Sequence, residues 1–160
     1  MLTKSTLLRL ETQLEAIPLL LSGATSEAIS ARPSSGQWSA HENLAHLARH
    51  HRVFLDRLHL ILTESAPRLV QYRAEEDSNW PEWSALSTEE VLNRLGTLRG
   101  EIIDVVNGLT PAGTSRVGIH PLFGEMSLAL WLEFFLLHEA HHLYVVMTRL
   151  GQAKRRLSVD

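Results

Sequence analysis

From Leu128 to Val146 the chain is apolar on nearly every side, and His138-Glu139-Ala140-His141-His142 lies inside that run. A helix without a polar face has to be covered, so this segment demands either a fold that surrounds it or a subunit interface. Imidazoles carried into such an interior need partners. His138 and His142 are four residues apart, which on a helix sets both on one face at about 5–6 Å between Cβ atoms, close enough to share one cation.

The rest of the chain supplies the cover. Neither strand alternation nor internal repeats stand out, and three further segments read as helices, which predicts an all-α protein. The first runs from about Thr3 to Leu21, with Pro18 kinking or ending it by freeing the carbonyl of Leu14. A turn-rich link with Gly23, Pro33 and Gly36 follows. The second helix opens on a capping box, Ser39 with Glu42, has Trp38 placed as a hydrophobic staple, and reaches about Thr63. Its apolar stripe is Leu44, Leu47, Phe54, Leu58 and Ile61, with His51 inside it. The third opens on Ser87 with Glu90 and continues through Val91, Leu95, Leu98, Ile102 and Val105 to Gly108. The fourth, which contains the His cluster, opens at Ser127 and is expected to stop at Gly151. Two long connections, 65–87 and 109–126, are of the length that serves function or crossover. With 160 residues and 44% apolar content, residues 1–160 fit one domain with a single core.

Composition removes several classes of function. The chain has no cysteine, so it carries no disulfide framework, no thiolate nucleophile and no zinc-finger site, and any metal must be held by His or carboxylates. That count suits a reducing cytoplasm. The N-terminal segment is broken by Arg9, Glu11 and Glu15, unlike a signal peptide, and no stretch reaches the ~18 charge-free apolar residues of a membrane span. A net charge of -3 and a pI near 6.3 give no basic field for nucleic acid. A small, uncharged or weakly anionic ligand is expected instead.

His138-Glu139-Ala140-His141-His142 matches the H-E-x-x-H pattern of zinc proteases. Those enzymes take a third ligand downstream, however, and after His142 the chain offers neither His nor Glu. The third imidazole then comes from the second helix, which carries His41, His46, His50, His51 and His59. His46 lies roughly 10 Å from the start of its helix, and the 138/142 pair lies some ~15 Å from the end of the fourth, so antiparallel packing levels the three. An up-down-up-down bundle would make these helices parallel. The link 65–87 resolves the conflict: it can stretch to roughly 70 Å, enough to cross the bundle and give the order up-down-down-up. On a helical wheel His46 sits roughly 120° from the centre of the apolar stripe, and periodicity alone prefers His50 or His51.

Three stretches taken together, Trp38-Ser39-Ala40-His41-Glu42-Asn43-Leu44-Ala45-His46-Leu47, His120-Pro121-Leu122-Phe123-Gly124-Glu125-Met126-Ser127-Leu128 and His138-Glu139-Ala140-His141-His142-Leu143, resemble the DinB/YfiT-like superfamily. The match runs in order from about Trp38 to Leu150. The resemblance implies a four-helix bundle with a long crossover between helices two and three, frequent homodimers, and a divalent metal on three His, which carry over to His46, His138 and His142. Its members include transferases and isomerases that use low-molecular-weight thiols such as bacillithiol or mycothiol. His141 is expected to be structural, His50, His51 and His59 to be core or partly exposed residues, and Lys154-Arg155-Arg156-Leu157-Ser158 to be a solvated tail. Trp80-Pro81-Glu82-Trp83 is either a loop anchor or a pocket wall.

Three neutral imidazoles leave a divalent ion its full charge and an open position, as in catalytic sites. Zinc or nickel suits them by affinity order. Glu42, Glu139 and His120 are the candidate catalytic groups, and Glu42, Asn43 and Glu139 can orient ligands. With no cysteine in the chain, a thiol nucleophile would come from a small-molecule cosubstrate. The expected function is therefore a metal-dependent transferase using such a thiol. The alternatives are a metal-dependent hydrolase, or a bundle that binds metal or a small ligand without turnover.

Overall fold

The computed structural model describes residues 2–33 and 36–157, with the backbone alone at 156 and 157. Its first rod is α1 (Lys4–Thr12), a 3-10 turn at Gln13–Glu15 and α2 (Ala16–Leu21). Pro18 has no N–H and crowds the carbonyl of Leu14, and the rod tightens at that carbonyl instead of ending. The link that follows holds a short helix, α3 (Ser26–Ser30), capped by Thr25.

The next rod, α4 (Ala40–Thr63), starts where the capping box places it. Ser39 Oγ accepts the Glu42 N–H at 3.1 Å, and the Glu42 carboxylate accepts the Ser39 N–H at 2.9 Å. A staple does not form, because its counterpart four positions into the helix is the polar Asn43. Trp38 packs on Trp80 and His46 instead. After α4 the chain crosses the bundle through a 3-10 turn at Ala74–Glu76 and α5 (Trp80–Ala85), then enters α6 (Thr88–Asn107) through the second capping box.

Residues 109–127 depart from the all-helical expectation. After α7 (Pro111–Ser115) a hairpin forms, with β1 (Val117–His120) antiparallel to β2 (Gly124–Ser127). Arg68 bridges to Ile119, so the crossover and the hairpin share a small ladder. Gly118 is where the hairpin presses on the rods: a Cβ there would lie 2.8 Å from Ile61 and 3.0 Å from the Trp131 indole nitrogen, which donates to the Gly118 carbonyl.

The last rod, α8 (Leu128–Leu157), runs past Gly151, where a helix end was expected. One glycine costs a helix only about 1 kcal/mol, and neighbouring Leu150 is buried in the core. Lys154 and Arg155 therefore stand on helix, while Ser158 lies outside the described residues. The rod is not wholly covered: Leu130, Leu137, Tyr144 and Met147 are exposed.

Side-chain pairs set the directions. Asn43 meets His142, Phe54 stacks on Phe135 and Arg57 lies over Trp131, so α4 and α8 are antiparallel. His41 bonds Thr88 at the start of both rods, and Val91 and Leu95 pack with Leu44, making α6 parallel to α4. Thr6 meets Glu133 and Gln13 meets Glu139, making the first rod parallel to α8. The order is up-down-down-up.

The core has two apolar halves. One holds Phe54, Leu58, Ile102, Trp131 and Phe135; the other holds Leu44, Leu47, Val91, Leu95 and Val146. Between them lies a polar layer drawn from all four rods. Glu139 is fully buried there, paired with Arg99, 3.1 Å from His51 Nε2, and accepting from Gln13 at 2.8 Å. Arg99 also donates to the Leu10 carbonyl, and His51 to that of Leu47. Buried charge is tolerable only when paired and hydrogen-bonded in this way.

Candidate metal centre

Antiparallel packing of α4 against α8 brings three imidazoles together at the edge of the polar layer. His46, His138 and His142 each offer a ligand atom, and these atoms lie within 4.8 Å of one another. His46 Nε2 stands 3.2 Å from His138 Nε2. Two Zn–N bonds of ~2.05 Å at a tetrahedral angle separate their nitrogens by about 3.3 Å. The donor set therefore fits one small divalent cation.

The local sequence aims these rings. Asn43 sits three residues before His46, so its amide reaches across to α8. Its nitrogen donates to the Ser39 carbonyl at 2.7 Å, which leaves Oδ1 to accept from His142 Nδ1 at 2.8 Å. That bond fixes the proton on Nδ1 and frees Nε2 for the centre. The residue that caps α4 thus also holds the amide that orients the imidazole on α8. His46 Nδ1 and His138 Nδ1 are buried and have no hydrogen-bond partner among the described residues.

Burial keeps all three rings neutral, the form that binds metal. It pushes His46 down to about 3, helped by His142. His138 falls to about 2, again chiefly by burial, with His142 and His46 adding to it, and His142 falls to about 4 through burial and His141. Protons do not compete for these nitrogens near neutrality.

The candidate catalytic groups are placed otherwise. Glu42 is committed to its cap and to a forked pair with Arg32; burial works to raise its pKa, but Arg32 and Ser39 hold it below the usual carboxylate range. Glu139, between His138 and His142 in sequence, turns into the polar layer; burial again opposes ionisation, and His51, Arg99 and Gln13 prevail. His120 is not brought to the three rings. Its Nδ1 accepts the N–H groups of Leu122 and Phe123 at 3.0 and 3.2 Å, and its ring packs on Phe123, Trp131 and Phe134, so it anchors the hairpin turn. His141 and His59 are exposed, and His51 belongs to the polar layer.

Of two further groups at the centre, His50 is offered by periodicity in place of His46, and Tyr72 is not singled out from sequence. His50 lies with its ring 4.0 Å from that of His138, and its Nδ1 has no partner among the described residues. Its place one turn after His46 is the signal for it. Tyr72 comes from the crossover, with its ring 5.7 Å from His46 and 5.8 Å from His50, and nothing in its sequence neighbourhood announces it. The Trp80–Trp83 motif divides in two: Trp80 stands edge-on to His46, while Trp83 lies under Arg49 and Arg94 as an anchor.

Known proteins share this architecture. A protein of Oceanobacillus iheyensis, named as an inferred metal-dependent hydrolase, is 26% identical over 135 residues, covering 82% of this chain and 78% of that protein. The structure of YfiT from Bacillus subtilis, described as a probable metal-dependent hydrolase with an unusual four-helix bundle topology, superposes with a TM-score of 0.77. It is 20% identical, with 99% of this chain and 91% of YfiT covered. The crystal structure of TT2238, a four-helix bundle protein, gives a TM-score of 0.66 at 27% identity over 90% of this chain and 97% of that one. The family model of the DinB superfamily matches residues 9–146, nearly the whole bundle, and the chain belongs to that superfamily.

Proposed function

We propose that this chain is a divalent-metal-dependent enzyme, with His46, His138 and His142 as the ligands, that transfers a low-molecular-weight thiol to an electrophile. The convergence of three neutral nitrogens from two rods carries the metal-dependent part. A divalent cation held there would supply Lewis-acid activation of a nucleophile at neutral pH. Asn43 holds His142 in the binding tautomer, and the buried wall around His46 excludes water from one side.

The fate of the nearby carboxylates argues against a hydrolase that uses one of them as general base. A hydrolase of the H-E-x-x-H kind uses the Glu beside its ligands as general base. Here Glu139 is fully buried and tied to Arg99, and Glu42 is tied to Arg32 and Ser39. A thiol, with an ordinary pKa near ~8.5, would need no such base if a divalent cation lowered that value, and the three imidazoles are the groups that would hold the cation. The thiol sulfur forms the new bond to the electrophilic carbon, the leaving group departs with the bonding pair, and the thiol proton passes to solvent.

Hydrolysis is the second reading, favoured by the names of the relatives. One assay separates them: protein loaded with zinc or nickel is given monochlorobimane with bacillithiol, mycothiol or no thiol, and in parallel a panel of ester and amide substrates. Thiol- and metal-dependent conjugation, abolished in His142→Ala, is the expected result. Ester or amide cleavage indifferent to thiol establishes the hydrolase, and metal uptake without either reaction leaves a binding protein.

A further inference from the structure

The centre has an aromatic wall built from three separate stretches of chain. Trp38 precedes α4, Tyr72 belongs to the crossover and Trp80 opens α5, and all three are half-buried. The Trp38 and Trp80 rings stack at 5.0 Å, Trp38 lies 5.0 Å from His46 and 6.5 Å from His142, and Tyr72 closes the side toward His50. Such walls attract flat π-systems beyond the area they bury.

The arginines around the wall already have hydrogen-bond partners. Arg49 pairs with Asp77 at 2.6 Å, Arg32 with Glu42, and Arg149 donates to the Trp38 carbonyl and to Gln37. A charged substrate pressed against these rings would lose water, a cost that aromatic faces do not return. A cationic one would also be repelled by a divalent ion at the three imidazoles, and an anionic one would take that ion's open position in place of the nucleophile.

We infer that the centre takes an uncharged, planar, conjugated or aromatic electrophile, which lies along the Trp38–Trp80 wall with its reacting atom toward the three imidazoles. This deepens the thiol-transfer reading and rests on it for the word electrophile. Trp38 and Trp80 are then specificity determinants, and Trp83, packed beneath two arginines, is not.

Calorimetric titration tests it, on protein with and without zinc, using three probes that do not react with thiols. They are 2,4-dinitroaniline, which is planar and neutral, 2,4-dinitrobenzoate, the same ring with a charge, and cyclohexanecarboxamide, neutral but not planar. The first is expected to bind about tenfold more tightly than the other two. Trp80→Leu should weaken it about tenfold, Trp80→Phe by no more than about threefold, and zinc uptake should be unchanged in both. Equal binding of the three probes, or unaltered binding in Trp80→Leu, overturns the inference. Should Trp80→Leu fail to fold, the probe series on the unmodified protein still decides. Turnover does not enter the readout: binding of the planar probe without thiol transfer overturns the proposed reaction and leaves this inference standing, and thiol transfer without planar selectivity does the reverse.

Discussion

Asn43 is the residue on which the centre turns. It spends its nitrogen on the Ser39 carbonyl and its oxygen on His142, so one amide fixes a tautomer on a different helix. Replacing the hydrogen-bond partner of a metal-ligating imidazole usually weakens binding about 10–100-fold. Asn43→Ala is therefore expected to lower zinc affinity by that factor, measured by competition with a chromophoric chelator, with His142→Ala losing more. An Asn43→Ala protein that binds zinc as tightly as the parent would show the amide to serve only the start of α4. At this scale the sequence is informative in one direction. Spacing reveals that His138 and His142 share a face and that Asn43 and His46 do too, because helix geometry is local. It does not reveal that Glu139 faces away from His138 and His142, since Arg99, His51 and Gln13 reach it from three other rods.

The rods themselves were legible wherever their start signals are chemical. Both capping boxes form as written, Ser39 with Glu42 and Ser87 with Glu90. The hairpin was not, because each strand has four residues and its pairing depends on a bridge to Arg68 in a distant connection. The crossover is held by an ion pair invisible to periodicity, Arg49 with Asp77, whose carboxylate also accepts the Asn79 N–H at 3.0 Å. The Arg49 bond, followed by that of Asn79, drives the Asp77 pKa down to about 2 from 3.8, against the pull of burial. A carboxylate depressed in the folded state contributes stability above its unfolded pKa and loses it as pH falls through the folded one. The Asp77 contribution, up to about 2 kcal/mol, should thus be complete above pH ~4 and fade toward pH ~2. In melts across that range, Asp77→Asn is expected to be destabilised at pH 6 and to converge on the parent near pH 2. Parallel curves would refute the linkage.

In the whole molecule, the polar layer ties the first rod, α4, α6 and α8 at one level. Removing one member of a buried ion pair typically costs about 3–5 kcal/mol, because the other is left charged and unpaired, whereas replacing both by apolar groups is often close to neutral. Arg99→Met is expected to lose about 3–5 kcal/mol in denaturant unfolding, and Arg99→Met with Glu139→Leu to regain most of it. A double variant no more stable than the single would mean that the layer is held by something other than this pair. The layer also governs how α8 can be seated. Sliding that helix by one turn, about 5.4 Å, would carry the Glu139 carboxylate away from Arg99 and into hydrocarbon. A smooth apolar seam would tolerate neighbouring registers with little penalty; a stripe of charge through its middle works as a key in a keyway. Only one seating is admitted, and it is the one that delivers two imidazoles opposite the third.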